Sequence, residues 1–127
     1  LTILSRAVDL IQETKAEVVD VWDIPLEASH PKAQKAYDML SRGETTGIFQ
    51  LESDGMRRYI VDLKPRSVKE LAAMVALYRP GPIAHIPRYI QSKFDPSQIV
   101  YAHPTLEPIL GETYGVIVYQ DQVLKIV

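Results

Sequence analysis

The chain has 127 residues, 46% of them hydrophobic and none of them cysteine. It is therefore one domain or a piece of one, able to bury a core, with neither disulfide staples nor cysteine-type zinc sites available to it. The absence of cysteine fits a cytosolic protein, and neither a signal-peptide pattern nor an apolar run long enough to span a bilayer appears in these residues. The net charge of −2 is unevenly spread. Residues 1–52 hold five Lys/Arg against nine Asp/Glu, residues 53–93 eight against three, and residues 94–127 one against four. A basic middle between acidic ends suits a polyanion bound on one face; on charge alone, a solvated helix surface is the favoured reading. The chain opens on Leu1 and stops on the apolar run Val123–Val127, so it reads as a fragment of a longer polypeptide.

Ile3, Leu4, Ala7, Val8 and Ile11 recur at helical spacing, so residues 2–15 read as an amphipathic helix. Val18 to Trp22 is short and β-branched and reads as extended, with Pro25 ending it. Ser29 before Pro31 is a cap with proline in the first turn. The helix it opens runs to Ser41, burying Ala33, Ala36, Tyr37 and Leu40, and stops at Gly43. Gly47 to Leu51 reads as a short strand or extended segment. Ser53 or Asp54 caps the next helix, whose stripe is Met56, Tyr59, Ile60 and Leu63 and which Pro65 closes. Ser67 with Glu70 three residues later forms a capping box. The helix behind it runs to Tyr78 and buries Leu71, Ala72, Val75 and Tyr78. Arg79-Pro80-Gly81-Pro82 must stop it, because proline disfavours helical backbone at the residue before it. Residues 86–93 read as a short helix, 94–104 as a polar surface loop, and 104–110 as another short helix stopped by Gly111. Val116 to Tyr119 reads as a brief strand, and Gln120 opens a last helix. The expected fold class is mainly α with two or three short β-strands.

One stretch does not read as core: Ser41 to Met56, SRGETTGIFQLESDGM. Arg42, Thr45, Thr46, Gln50 and Glu52 alternate there with glycines and a short apolar run. Gly43 and Gly47 permit unusual backbone angles and close approach of a ligand or another backbone. A polar segment of this kind between two helical patterns usually has something to bind. Elsewhere the chemical motifs are absent: no phosphate-binding glycine loop, no nucleophile elbow, and no metal spacing around His30, His85 or His103, which sit in loops and turns. Asp20 and Asp23 lie three apart in an acidic loop and read as solvated.

The Ser41–Met56 block closely resembles the S-R-G-E/D-T-x-G-I-F-Q-L-E-S-x-G-M block of the bacterial replicative DNA polymerases of family C, the α (polymerase) subunits of DNA polymerase III. Two further blocks agree in order. Ala73 to Pro82, AMVALYRPGP, resembles that family's helix-ending A-L-Y-R-P-G-P. Glu112 to Val123, ETYGVIVYQDQV, resembles its E-T-Y-G-x-x-V-Y-Q-E-Q-V. The resemblance runs from Leu1 to Val127. The spacing, with R-P-G-P about 30 residues after G-I-F-Q, looks more like the ordinary α subunit than the related Gram-positive type. Departures are few: Asp121 stands where glutamate is common, and residues 94–103 lack the basic K-H-G element often found there.

The resemblance implies a helical fingers-domain fragment, residues 1–127, with the palm upstream and the rest of the fingers downstream. It implies an enzyme that extends a primer 3′ end with deoxynucleoside triphosphates during chromosomal replication. Its partners would be primer-template DNA, and in the intact protein the sliding clamp and other replisome subunits; its place would be the cytoplasm. Such polymerases use three aspartates, including a D-x-D pair, to hold two Mg²⁺ ions. None of the three is here, so no catalytic or metal-binding residue is assigned and the fragment alone is expected to be inactive. The paired arginines that hold the triphosphate in an L-R-R-A-M block also lie beyond Val127. Arg57-Arg58 sits in a different setting and does not take that role; it reads as exposed helix charge or as a phosphate contact.

Base contacts specify and phosphate contacts position. On that basis Arg42, Thr45, Gln50 and Ser53 are the DNA- or nucleotide-contacting candidates of the first block, although Thr45, Gln50 and Ser53 also suit caps and backbone satisfaction. Arg79 either complements the carbonyls at its helix end or projects toward the active-site cleft. Tyr119, Gln120 and Gln122 open a helix whose N-terminus suits phosphate; Tyr119 either stacks on a base or belongs to the core. The alternative for the whole chain is a helical protein-interaction module without nucleic-acid binding.

Overall fold

A computed structural model of the chain describes residues 2–127. It contains seven α-helices among these residues: α1 Thr2–Lys15, α2 Pro31–Ser41, α3 Asp54–Leu63, α4 Val68–Leu77, α5 Ile86–Phe94, α6 Glu107–Leu110 and α7 Gln120–Ile126. Short 3₁₀ turns and loops join them.

No β-strand occurs among the described residues, which corrects the two or three short strands read from the sequence. The one strand-like contact among the described residues is an isolated antiparallel bridge between Glu27 and Ser67. Val18 to Trp22 runs into a 3₁₀ turn, Val21–Asp23, in which the Asp20 carboxylate accepts from the Trp22 amide at 2.9 Å. Gly47 to Leu51 is a series of turns, with Ile48 N–H donating to Thr45 O at 3.1 Å and Leu51 N–H to Ile48 O at 3.0 Å. Val116 to Tyr119 has no neighbouring strand; the amides of Val118 and Tyr119 donate to the Gln122 side-chain oxygen at 2.8 and 3.0 Å. A strand needs a ladder to satisfy its backbone. Each of these apolar runs gives its N–H groups to a turn or a side chain instead.

The core is built where helical stripes converge. α2 contributes Ala33, Tyr37 and Leu40, α3 Met56, Ile60 and Leu63, α4 Ala73, Met74 and Leu77, and α5 Ile86 and Tyr89. Ala28, Leu51 and Val116 close it from the connecting segments. Ala36 is exposed, and Tyr59 is only partly buried. In α4 the buried face is Glu70, Ala73, Met74 and Leu77, whereas Leu71, Val75 and Tyr78 sit at its margin and Ala72 is exposed. The α4 sequence is apolar nearly all round, so its spacing does not choose a face. The bonds made by Glu70 do.

Caps explain most helix boundaries. His30, rather than Ser29, caps α2, its Nδ1 accepting from Lys32 N–H at 3.2 Å. Ser53 caps α3 and Ser67 caps α4, each accepting from the amide three residues on at 3.3 Å. The Ser67–Glu70 pair makes only half of a capping box, because the Glu70 carboxylate receives the Arg66 amide at 2.7 Å. α6 ends at Leu110 with Gly111 as its C-cap, as read from the sequence, but Gly111 keeps helical angles and leads into the turn Gly111–Thr113. The reversal comes at Tyr114 and Gly115, both left-handed, where a Cβ on Gly115 would meet Ile99 Cγ2 at 2.9 Å.

One polar knot ties the body together. Glu70 Oε2 lies 3.0 Å from Lys93 Nζ, and Glu70 Oε1 accepts from the Tyr114 hydroxyl at 2.7 Å. Lys93 also donates to the carbonyls of Leu63 and Lys64, both at 2.9 Å, which closes the end of α3. The side chains of the ion pair are 8% and 9% exposed. Burial pushes the Lys93 amine below the usual lysine range, and the bond to Glu70 opposes that shift. Burial, then the bond to Glu70, raises the Tyr114 phenol. The Tyr89 ring packs edge-on against Tyr114 at 5.1 Å between centroids.

Residues 2–26 are different. α1 buries none of its side chains, and Ile3, Leu4, Val18 and Trp22 are among the most exposed apolar groups of the chain. The segment joins the body at Leu26, whose carbonyl accepts from the Tyr37 hydroxyl; just beyond it the Ala28 amide donates to Arg66 O at 2.8 Å.

Candidate functional site

The loop between α2 and α3 is framed from below. Thr45 is fully buried, Ile48 packs against the core and Leu51 belongs to it. Arg57, in the second turn of α3, braces the loop: its Nε donates to Thr45 Oγ1 at 3.4 Å and its Nη2 to Glu52 O at 3.3 Å, with Asp54 at 3.6 Å from Nη1. Arg57 is therefore a half-buried strut rather than a free helix charge, while Arg58 is exposed. Glu52 turns back to accept from Gly47 N–H at 2.6 Å. Gly43 and Gly47 both take φ of +78°. At Gly43 a side chain would also press on Val61 Cγ2 at 3.0 Å, so glycine there lets α2 end against α3.

On this frame the candidates of the first block separate. Arg42 caps the end of α2 and grips Glu44 through two bonds of 2.7 and 3.2 Å on the surface. That pairing raises the Arg42 pKa and lowers that of Glu44, the hydrogen bond between them being the main cause in each case. Thr45 faces inward. Gln50 is exposed and holds φ of +63°, a left-handed conformation rare outside glycine. Ser53 is exposed and serves as the α3 cap.

The end of α4 comes to the same place. The Tyr78 hydroxyl lies so close to Gly55 that a Cβ there would stand 2.2 Å from it, and the Tyr78 ring meets Tyr59 edge-on at 6.1 Å. Arg79 follows directly and is exposed, with no side-chain bond or ion pair among the described residues. Its backbone is fixed by Arg79 N–H to Leu77 O at 2.8 Å and by Ile83 N–H donating to Arg79 O at 3.1 Å. Gly81, at φ +99°, opens the turn Pro82–His85.

Tyr119, Gln120 and Gln122 belong to another neighbourhood. Gln122 is 4% exposed. Its oxygen caps α7, and its amide donates to Thr113 Oγ1 at 2.9 Å and Ile109 O at 3.3 Å. Tyr119 is partly buried against the core, and that burial is the main cause of its raised pKa. Gln120 is exposed at the start of α7. Among the described residues, Thr45, Ser53 and Tyr78, the neighbour of Arg79, meet α3, and Gln122 meets the 109–116 turn; no hydrogen bond or ring contact joins the two groups of candidates.

Sequence reasoning missed Arg57 as a strut and the Glu70–Lys93–Tyr114 knot. The knot's members lie 23 and 44 residues apart, beyond any helical period. For a metal the fit is negative: among the described residues no three His, Cys, Asp or Glu side chains gather to hold an ion.

The comparisons with known proteins agree with one another. Residues 1–127 match the family model of the bacterial DNA polymerase III alpha subunit finger domain. The DNA polymerase III subunit alpha of Halalkalibacterium halodurans is 48% identical over 126 residues, covering 99% of this chain and 11% of that protein. That of Staphylococcus aureus strain COL is 44% identical over the same span, again 11% of its length. The chain thus spans about a tenth of the relatives it matches, and it belongs to the finger-domain family of bacterial DNA polymerase III alpha subunits.

Proposed function

We propose that residues 1–127 form the N-terminal part of the fingers of a DNA-directed DNA polymerase that extends primer 3′ ends during chromosomal replication. The observation that supports this most is the finger-domain match along the whole chain, at a similarity far above chance. The role of the segment is to contact template-primer and the nascent base pair. The surface candidates are Arg42, Gln50, Ser53, Arg79, Tyr119 and Gln120. Thr45 and Gln122, being buried and bonded, hold these groups in position. Arg79 is the strongest phosphate ligand in this reading, a free guanidinium on a fixed backbone. Arg42 must exchange its bonds to Glu44 before it can serve. Mg²⁺ chemistry and triphosphate binding fall to other parts of the polypeptide, and no step through the metal ions is assigned to these residues. Primer-template DNA, deoxynucleoside triphosphates, the sliding clamp and other replisome subunits are the partners this reading carries, in the cytoplasm. A protein contact is the better reading for one region, residues 2–26, whose exposed apolar groups sit among five carboxylates and two cations.

The test compares the intact polymerase with the isolated segment. The intact protein should incorporate labelled nucleotide in Mg²⁺, and the segment should incorporate none; incorporation by the segment overturns the assignment of chemistry elsewhere. In the intact protein, Arg79→Ala should weaken primer-template binding and lower the slope of log affinity against log salt by about 1, as loss of one phosphate contact does. An unchanged slope removes Arg79 from the DNA path.

A further inference from the structure

We propose that the turn Ile48–Leu51 is a stacking tip for an unpaired nucleobase of the template strand, with the Phe49 ring as the platform. The inference rests on the finger-domain reading above and adds to it a residue and a ligand.

Phe49 is 85% exposed, although Ile48 before it packs on the core and Leu51 after it is 4% exposed. The turn is closed by Leu51 N–H to Ile48 O at 3.0 Å, so Phe49 and Gln50 are its two corner residues. The second corner, at φ +63°, is one where glycine is the ordinary choice. A glutamine there holds a backbone conformation that side chains other than glycine adopt only under strain. Such strain persists only where the surroundings over-determine it, and here they do. Thr45, Arg57 and the Glu52 bond to Gly47 fix both stems of the loop. The result is an aromatic ring and an amide held out on a rigid support, an arrangement that loses little entropy on binding.

The kind of ligand follows from what surrounds the ring. A protein-docking surface is a contiguous apolar patch of a few hundred square ångströms. No other exposed large hydrophobic residue lies between Leu26 and Val61, and the neighbours along the loop are Thr46, Gly47, Gln50, Glu52 and Ser53. A ring that stands alone along its loop offers too little apolar surface to seat a protein face, but it can carry one base, since every base has a π-face. The loop's acidic groups do not oppose this: Glu44 is paired with Arg42, Glu52 is turned onto Gly47 N–H, and Asp54 faces Arg57. The adjacent Gln50 amide offers a donor and an acceptor to a base edge.

The experiment uses the intact polymerase and primer-templates carrying 2-aminopurine at successive positions of the single-stranded template. The wild type should change the fluorescence of the probe at one position. Phe49→Ala should abolish that change and weaken binding of the overhang roughly tenfold, the scale of one lost base–aromatic stack. Phe49→Trp should keep both, which separates stacking from a folding defect. Unchanged fluorescence and affinity in Phe49→Ala overturn the inference while leaving primer extension, and so the functional reading, intact. Loss of affinity that Trp does not restore overturns it as well. A wild type that extends no primer overturns the functional reading and this inference with it.

Discussion

α1 carries as regular an apolar stripe as any helix in the chain, yet it buries none of its side chains, whereas Ile60 and Leu63 of α3 and Met74 of α4 have no exposed surface at all. The difference is not one of composition. α3 and α4 meet stripes on α2 and α5 that complete their burial, and α1 has no such neighbour among the described residues. Amphipathic spacing says that a face is suited to burial and leaves open what covers it. An isolated helix of 14 residues is marginal in water, since most helical stability comes from packing. The two regions also differ in polar chemistry. The body is tied by a buried ion pair and its phenol partner, while the charges of residues 2–26 are solvated.

The comparison breaks most sharply at Glu70. Glu70→Ala leaves the Lys93 ammonium buried without its carboxylate and frees the Arg66 amide and the Tyr114 hydroxyl. Removing one partner of a buried pair costs about 3–5 kcal/mol. Urea unfolding should show a loss of that size; a loss below about 1 kcal/mol would mean that apolar packing alone holds the body.

A second, smaller effect lies at the close approach of α3 and the end of α4. Gly55→Ala places a methyl group 2.2 Å from the Tyr78 hydroxyl, and the Tyr78 ring must move. Overpacking of this kind costs about 1–3 kcal/mol. Tyr78→Phe removes the clashing oxygen and leaves the ring carbon at 3.3 Å, so the double variant should recover much of the loss. Additive losses in that cycle would show that the hydroxyl is not the obstacle. Because Arg79 follows Tyr78, Gly55→Ala should also weaken primer-template binding under the proposed function.

Alkaline pH probes the same knot more gently. Tyr89 and Tyr114 both hold their protons above the ordinary phenol value of 10.0, chiefly through burial. A group whose folded pKa is raised contributes stability that is fully present below its unfolded pKa and is lost as pH rises toward the folded value. The fold should therefore weaken progressively above about pH 10, with two phenols titrating late in a phenolate absorbance curve. Lys93 acts in the opposite sense, because its folded pKa lies below its unfolded one. That contribution grows as pH rises to the ordinary lysine value of 10.5 and adds no slope above it, so Lys93→Met should remove a gain below about pH 10.5 and leave the slope of the loss above it unchanged. Phenols that titrate together near 10 would show that Tyr89 and Tyr114 are not shielded.

The sequence carried the helices well because their signals are local: Ser53 and Ser67 cap where a hydroxyl can reach an amide three residues on, and Pro31 and Pro65 mark boundaries through their own backbone restrictions. It misled at Val18–Trp22, Gly47–Leu51 and Val116–Tyr119, where β-branched and apolar residues suggested strands. Whether such a run becomes a strand depends on a partner, which is not local information. The same limit hid the face of α4, chosen by Lys93 and Tyr114, and the inward bonds of Gln122, a contact candidate whose amide is spent inside. For the candidate site, the loop itself was legible from its glycines and polar residues. Its support by Arg57 was not, because that contact spans 12 residues and a change from loop to helix.

The smallest expected effect sharpens the contrast between the two regions. Trp22 is 92% exposed and Leu4 56%, so neither contributes much to burial in this chain. Trp22→Ala and Leu4→Ala should each change the unfolding free energy by less than about 0.5 kcal/mol, the range of surface substitutions, whereas Leu63→Ala in α3 should cost about 2–5 kcal/mol. The measurement becomes informative when repeated in the intact polymerase. If residues 2–26 meet protein there, the same two substitutions should become costly, since a hidden tryptophan truncated to alanine loses about 3–5 kcal/mol. If they stay neutral in both settings, the segment's apolar groups face solvent in the whole protein too. Its spacing would then be a helix-forming pattern without a docking role, and the reading of residues 2–26 as a protein contact would fall.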